Sequence, residues 1–379
     1  MFSLGYCEET IAMMELSLCD GIGPVVGKHL IQQFGDARSV FLAHKSDWQG
    51  KSGIQLKLAH QLQMSKDNGC KAARELAETH KKLHIQVVGI HHPEYPYRLK
   101  ELANAPLVLY FKGEIPWNAP RILGVVGTRK PTPQGAALTE SWIDKLSNHQ
   151  IAIVSGLAYG IDIIAHKAAN QAKIPNWAVL AHGVDHVYPT NHYDISEQMI
   201  KTGGGLLSDF PANTKMHPDY FPKRNRIVAG LCDALLVVES GVKGGSMITA
   251  SIAHGYNREV FAVPGRPSDL ASTGCNFLIK QQMAHMARDV DDLTEIMEWT
   301  SQNSSTPSNQ GSAAQLSLFE HLNPIEQQVM QWLISGIQHP EVMMQQSNCS
   351  ASHIAMALLD LELKGLITAQ SGNLYTARC

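Results

Sequence analysis

Four short runs in this 379-residue chain combine glycine, hydroxyl and basic residues just where apolar stretches end, a combination suited to phosphate. Gly127-Thr128-Arg129 follows Ile122–Val126, and Thr132-Pro133 then opens a helix with a hydroxyl N-cap and proline at the first helical position. The glycine is expected to turn backbone N–H groups outward, and Arg129 adds a planar fork of donors that matches a phosphate. The competing reading is a βα turn whose arginine pairs with a neighbouring acid. Ser155-Gly156-Leu157-Ala158-Tyr159-Gly160 follows Ile151–Val154, and its amides could face an anion at a helix N-terminus. The spacing differs from the dinucleotide fingerprint G-x-G-x-x-G, and Asp162 is read as a first-turn acid complementing the helix dipole. Phe221-Pro222-Lys223-Arg224-Asn225-Arg226 places three bases at the expected start of a helix, Arg226–Leu231. Bases there oppose the macrodipole, so an anionic ligand explains them better than helix stability does. Lys243-Gly244-Gly245-Ser246 precedes a helix expected over Thr249–Gly255 and makes a further nest of amides. It lacks the G-K-[ST] ending of a P-loop, so ATP is not implied.

A fifth run, His182-Gly183-Val184-Asp185-His186-Val187-Tyr188-Pro189, with His192 beyond it, invites a metal reading. His182 and His186 have i,i+4 spacing, which brings two ligands together only on a helix, and here it spans a strand end and a glycine loop. Neither metal nor cofactor is expected. Rings such as His186, Tyr188 and Phe221 are read instead as surfaces for stacking on bases. One nucleotide would need one or two such loops, whereas a row of them suits a strand of nucleic acid.

The elements that must position these loops are short apolar runs separated by helical stretches. The strand candidates are Leu107–Phe111, Ile122–Val126, Ile151–Val154, Trp177–Leu180, Leu206–Ser208, Ala234–Val238 and Val260–Val263. Most are continuously apolar, as in strands buried on both faces of a parallel sheet. Helices are expected at Pro133–Ser147, Ile161–Asn170 and Ile195–Thr202 as well as at the two positions above. Repeated β-α alternation predicts an α/β fold with a doubly wound, mainly parallel sheet, whose ligands bind beyond the carboxyl ends of the strands.

Around this region (76–300) the composition changes. Residues 1–75 read as short helices, 301–317 as a flexible Ser/Asn/Gln/Gly linker, and 318–379 as helices ending in a β-rich tip. Net charge is −3, so a nucleic-acid site must be a local patch rather than a whole-chain field. The seven cysteines show no C-x-x-C pair, in keeping with a reducing cytosol. No basic leader and no membrane-length apolar run is present in the sequence, which predicts a cytoplasmic protein away from the membrane.

The segments GVVGTRKPTPQG, IVSGLAYGIDIIAHKAA, HGVDHVYPTNH, LLSDFP, FPKRNRIVAGLCDALLVVES, GGSMITASIAHG and VFAVPGRPSDLASTGCNFLI resemble, in this order, the DprA/Smf family of DNA-processing proteins. The resemblance implies an extended Rossmann fold that binds and protects incoming single-stranded DNA, dimerises, and helps load RecA recombinase in natural transformation. It also implies DNA contacts for Arg129, Lys223, Arg224 and Asn225. This chain departs from the family at Thr128, usually Ser, at Asp209, usually Glu, and at Thr190, where many members carry a base. It departs again after Asn276, in a region often placed at the family's dimer contact. Leu18–Pro24 with Lys28 and His29 resembles a helix-hairpin-helix within a SAM-like bundle, read mainly as structural. The C-terminal segment resembles a winged helix whose third helix, Ser350–Lys364, carries Asp360 and Glu362 and so suits protein contact better than DNA. An enzyme is the competing class, because the Gly-Gly-x loop also resembles nucleoside-monophosphate phosphoribohydrolases. Those enzymes carry an acid on the following helix, and Ser246–Ala253 has none. A binding protein without catalytic residues is therefore expected.

Overall fold

The computed structural model describes residues 6–44, 46–48, 56–299, 322–336, 339–345, 350–370 and 374–377. The chain divides into two compact units, Met1–Val290 and Asp291–Cys379.

The first unit is built on a nine-stranded sheet. Its strands are β1 (Gln86–Gly89), β2 (Val108–Gly113), β3 (Arg121–Val126), β4 (Ile151–Ser155), β5 (Asn176–Val179), β6 (Gly205–Ser208), β7 (Ala234–Val237), β8 (Glu259–Ala262) and β9 (His285–Met286). Their spatial order is β1-β2-β6-β5-β4-β3-β7-β8-β9. From β6 to β9 all neighbours are parallel, whereas β2 pairs antiparallel with β6 and β1 with β2. Every residue of β4, β5, β6 and β7 is buried, which is why these strands read as unbroken apolar runs. The chain winds outward from β3 through β4, β5 and β6, then returns to β3's other side for β7 and β8. A topological switch point therefore lies between β3 and β7. Sequence pattern missed β1 and β9, only four and two residues long, and β9 is exposed, so burial imposes no pattern on it.

Before β1 come the helices α1 (Glu8–Leu18), α2 (Pro24–Phe34), α3 (Ala37–Leu42), α4 (Leu56–Asp67) and α5 (Lys71–Lys82). The boundary expected at residue 75 falls inside α5, so the helical region and the sheet are not separate modules here. Met13, Met14 and Leu16 share one core with Val87 and Tyr110. Tyr6 donates to Ile85 O at 2.8 Å, and His80, fully buried, accepts from Ala212 N at 3.0 Å. Lys28 of α2 donates to Lys100 O and Leu102 O at 2.8 and 3.0 Å, which ties this helix to the sheet unit.

The helices that connect the strands from β3 to β9 are α6 (Pro133–Leu146), α7 (Ile161–Gln171), α8 (Tyr193–Lys201), α9 (Tyr220–Leu231), α10 (Gly245–Gly255) and α11 (Thr273–Lys280). Two begin earlier than expected. α9 starts six residues before Arg226, with Pro222 tolerated in its first turn because N–H groups there have no helical partner. α10 starts at Gly245 rather than Thr249.

In the second unit, α12 (Pro324–Ile334) opens with a full capping box. Asn323 accepts from Glu326 N at 2.9 Å and Glu326 accepts from Asn323 N at 2.9 Å. α13 (Pro340–Gln345) and α14 (Ala351–Leu363) follow, then a hairpin of β10 (Ile367–Gln370) and β11 (Leu374–Ala377). Val329, Leu333, Ile354, Leu358, Leu361 and Ile367 form its core. This is the helical order and terminal hairpin of a winged helix. The expected linker 301–317 and the turn at Ser371-Gly372 lie outside the described residues.

Candidate nucleic-acid interface

A crevice of about 360 Å³ opens at the β3/β7 switch point. Its lining comes from four segments: Val126–Arg129 after β3, Gly156, Ala158 and Asp162 after β4, Phe221, Arg224, Asn225 and Val228 of α9, and Ser240–Thr249 after β7. Eleven of the fifteen expected site residues line it. Ser155, His186, Tyr188 and Lys223 do not.

The loop after β3 is locked to β7 by a carboxylate that sequence reasoning missed. Glu239, 8% exposed, accepts from Thr132 N at 2.8 Å and from the Thr132 hydroxyl at 2.5 Å. Thr132 in turn caps α6 by accepting from Gly135 N at 3.0 Å. Thr128 N donates inward to Glu239 O at 2.7 Å. Gly127 is required because a Cβ there would press into Ile161 and Glu239 O. The expectation that this glycine turns N–H groups outward is therefore corrected: it allows close backbone packing. The loop projects Arg129, which is exposed and lies 5.6 Å over the Phe221 ring. Among the described residues no carboxylate pairs with Arg129, which removes the ion-pair explanation for it.

The loop after β4 differs from expectation as well. Its nest already holds an anion, the chain's own Asp162. This carboxylate accepts from Gly156 N at 3.2 Å and is also hydrogen-bonded by the Ala158 backbone and the Ser155 side chain. Burial raises the Asp162 pKa, and the Arg224 charge opposes that rise. Ser155 is fully buried and its hydroxyl donates to Val125 O at 2.5 Å, so Ser155 ties β4 to β3 and cannot reach a ligand.

The basic run on α9 splits three ways. Lys223 is exposed, with its ammonium 5.4 Å over the Tyr220 ring. Arg224 is 5% exposed and donates to Val179 O at 2.9 Å. Its guanidinium lies over Gly156, in space that any side chain there would take, and burial lowers its pKa. Its Nε is buried and has no hydrogen-bond partner among the described residues, and the residue forms part of the crevice lining. Arg226 pairs with Asp209 at 2.5 Å and also donates to Asn104 O. Three expected surface bases thus become one exposed cation beside the crevice, one floor cation and one internal ion pair, because a helix turns each successive side chain by about 100°. Asn225 donates to Gly245 O at 3.3 Å and steadies the glycine loop across the crevice.

The loop after β7 is open to solvent. Lys243, Gly244 and Gly245 are exposed, and no side chain caps the N-terminus of α10. Ser246 is buried and its hydroxyl bonds to the Ser240 hydroxyl at 2.8 Å, so its side chain is engaged within the loop. At the end of β5, His186 stacks on His182 at 4.2 Å and lies 3.2 Å from Asp185. Tyr188 is 47% exposed. Among the described residues no group of three His, Cys, Asp or Glu side chains could hold a metal.

The fold and this crevice define an extended Rossmann-type α/β protein with a cation-rimmed site at its switch point. A family model for DNA recombination-mediator protein A matches residues 86–298, and one for the DprA winged helix domain matches 313–373. The chain belongs to the DprA/Smf family. It is 34% identical over 268 residues to Protein Smf of Synechocystis sp., covering 68% of this chain and 65% of that protein. It is 39% identical over 198 residues to DNA processing protein DprA of Bacillus subtilis, covering 52% and 66% respectively. The chain thus spans slightly less than two thirds of these relatives' lengths. Among solved structures, DNA processing protein A from Streptococcus pneumoniae superimposes with a TM-score of 0.63 at 29% identity, over 76% of this chain and 97% of that one. DNA processing protein A from Helicobacter pylori, described for its single-stranded DNA binding mode, gives 0.52 at 27%, over 57% and 99%.

Proposed function

We propose that this protein binds single-stranded DNA by its phosphates along the β3/β7 crevice, protects the incoming strand and presents it to RecA recombinase during DNA uptake. One observation carries this reading: Arg129, Lys223 and Lys243, none paired with an acid among the described residues, surround or flank an uncapped helix N-terminus at the switch point of a DprA/Smf-family sheet. Charge-assisted bonds from such groups are the strong ones available to a phosphate.

The protein acts by binding, as a cytosolic homodimer, rather than by catalysis. The acid lining the crevice, Asp162, is already engaged by Gly156 N, and the first turn of α10 carries no acid to attack a glycosidic bond. The C-terminal unit serves protein contact. Met356, Leu359 and Leu363 of α14 are 64%, 54% and 79% exposed, and the nearby Lys364 is held by Glu326 at 2.6 Å. An apolar outer face on that helix is poorly suited to phosphates.

A competition gel between oligo-dT and blunt duplex of equal length tests the reading. Single strands are expected to win, since stacking needs unpaired bases. Equal affinity for the two would sink it.

A further inference from the structure

Tyr159 has no role in the account above, yet its surroundings are specific. The ring is 47% exposed, and its hydroxyl makes no hydrogen bond among the described residues. Near-perpendicular packing on the His192 ring, centroids 4.9 Å apart and planes at 73°, fixes its orientation. His192 is itself 6% exposed, and its Nδ1 lies 2.9 Å from Leu157 O, consistent with an N–H donated to that carbonyl. The loop bearing Tyr159 is therefore held to the β5 loop on one side.

On the other side it is held to Arg129. Gly160 adopts φ +82°, and a Cβ on it would run into Thr128 O and the Arg129 backbone. Ile161 N donates to Thr128 O at 3.2 Å. The residue after Tyr159 thus packs on the Arg129 backbone, and Arg129 has the Phe221 ring 5.6 Å away. Arg129 thus faces the Phe221 ring on one side, and its backbone packs on Gly160, the neighbour of Tyr159, on the other. An exposed ring held in place by a buried histidine, with no hydrogen bond among the described residues to explain its position, presents a flat apolar surface two residues from Ile161, whose N–H bonds to the Arg129 loop.

We propose that Tyr159 is a base-stacking residue, which receives the unpaired base next to the phosphate held by Arg129 and makes the crevice select strands with unpaired bases. His192 is its positioning residue. The inference rests on the single-strand reading and adds a contact to it.

The test uses the full chain, with fluorescence anisotropy on labelled oligo-dT and on an abasic oligonucleotide of equal length. Tyr159→Ala is expected to weaken oligo-dT binding roughly five- to fifty-fold while leaving abasic binding within about twofold, since only base stacking is removed. Tyr159→Phe, which keeps the ring face, is expected to bind as the parent does. An unchanged Tyr159→Ala, an equal loss on the abasic strand, or a Tyr159→Phe as weak as the alanine variant each overturns the proposal. Arg129→Ala, measured alongside, separates the two failures. Weak Arg129→Ala with unchanged Tyr159→Ala defeats only the stacking role, whereas unchanged Arg129→Ala defeats the crevice reading and this inference with it.

Discussion

The rim and the floor of the crevice draw on the same residue types and use them in opposite ways. On the rim, Arg129, Lys223 and Lys243 stand in solvent without acidic partners among the described residues. In the floor, Arg224 and Asp162 are 5% and 7% exposed, and each is bonded to backbone: Arg224 to Val179 O, Asp162 to Gly156 N. A buried charge is tolerated only when it is compensated, so the floor pair is first a feature of stability. An exposed unpaired cation adds little to stability and is free to meet a ligand. Adjacent basic residues such as Lys223 and Arg224 therefore differ in kind, and a motif that names both hides the difference.

Substituting the floor arginine should have the largest effect on the fold. Arg224→Ala removes a charge-assisted hydrogen bond and the cation facing Asp162, at a cost of about 2–4 kcal/mol. Thermal melting should fall by roughly 5–15 °C for a unit of this size. A melt that matches the parent, with DNA binding lost, would move Arg224 to the rim and break the comparison.

On the rim the expected loss is in binding alone. Arg129→Ala should leave the melting temperature unchanged and weaken oligo-dT binding by about 1.5–3 kcal/mol, the worth of a charge-assisted bond. Unchanged affinity in a filter-binding titration would remove the arginine from the interface.

The smallest effect is expected from removing the C-terminal unit. Truncation after Ser308 should leave oligo-dT affinity and the slope of log K against log salt nearly the same, because the rim cations lie upstream and counterion release follows them. A slope reduced by about two units or more would make the terminal unit a DNA reader, and its assignment to protein contact would fail.

Much of the fold was legible because burial writes itself into sequence. The apolar runs of β3 to β8 lie on a sheet covered on both faces, so every position is constrained. The glycine-rich loops could be placed at strand ends, and the anion-suited loop after β7 follows from its own residues. α9 was harder to bound, since Pro222 and a basic run argue locally against a helix that packing nevertheless enforces.

The sequence by itself determined the sheet's winding, the strand ends that carry the glycine-rich loops, and the family. Those depend on hydrophobic period and local turn chemistry, which neighbouring residues carry. Tertiary structure alone decided which charges are free. Glu239 meets Thr132 across 107 positions of sequence, Arg226 meets Asp209 across 17, and Asp162 fills its own nest only once β4 and α7 are placed. A side chain's partner is set by distance in space, and charge pairing falls off over a few ångströms, so no spacing along the chain could have separated the rim from the floor.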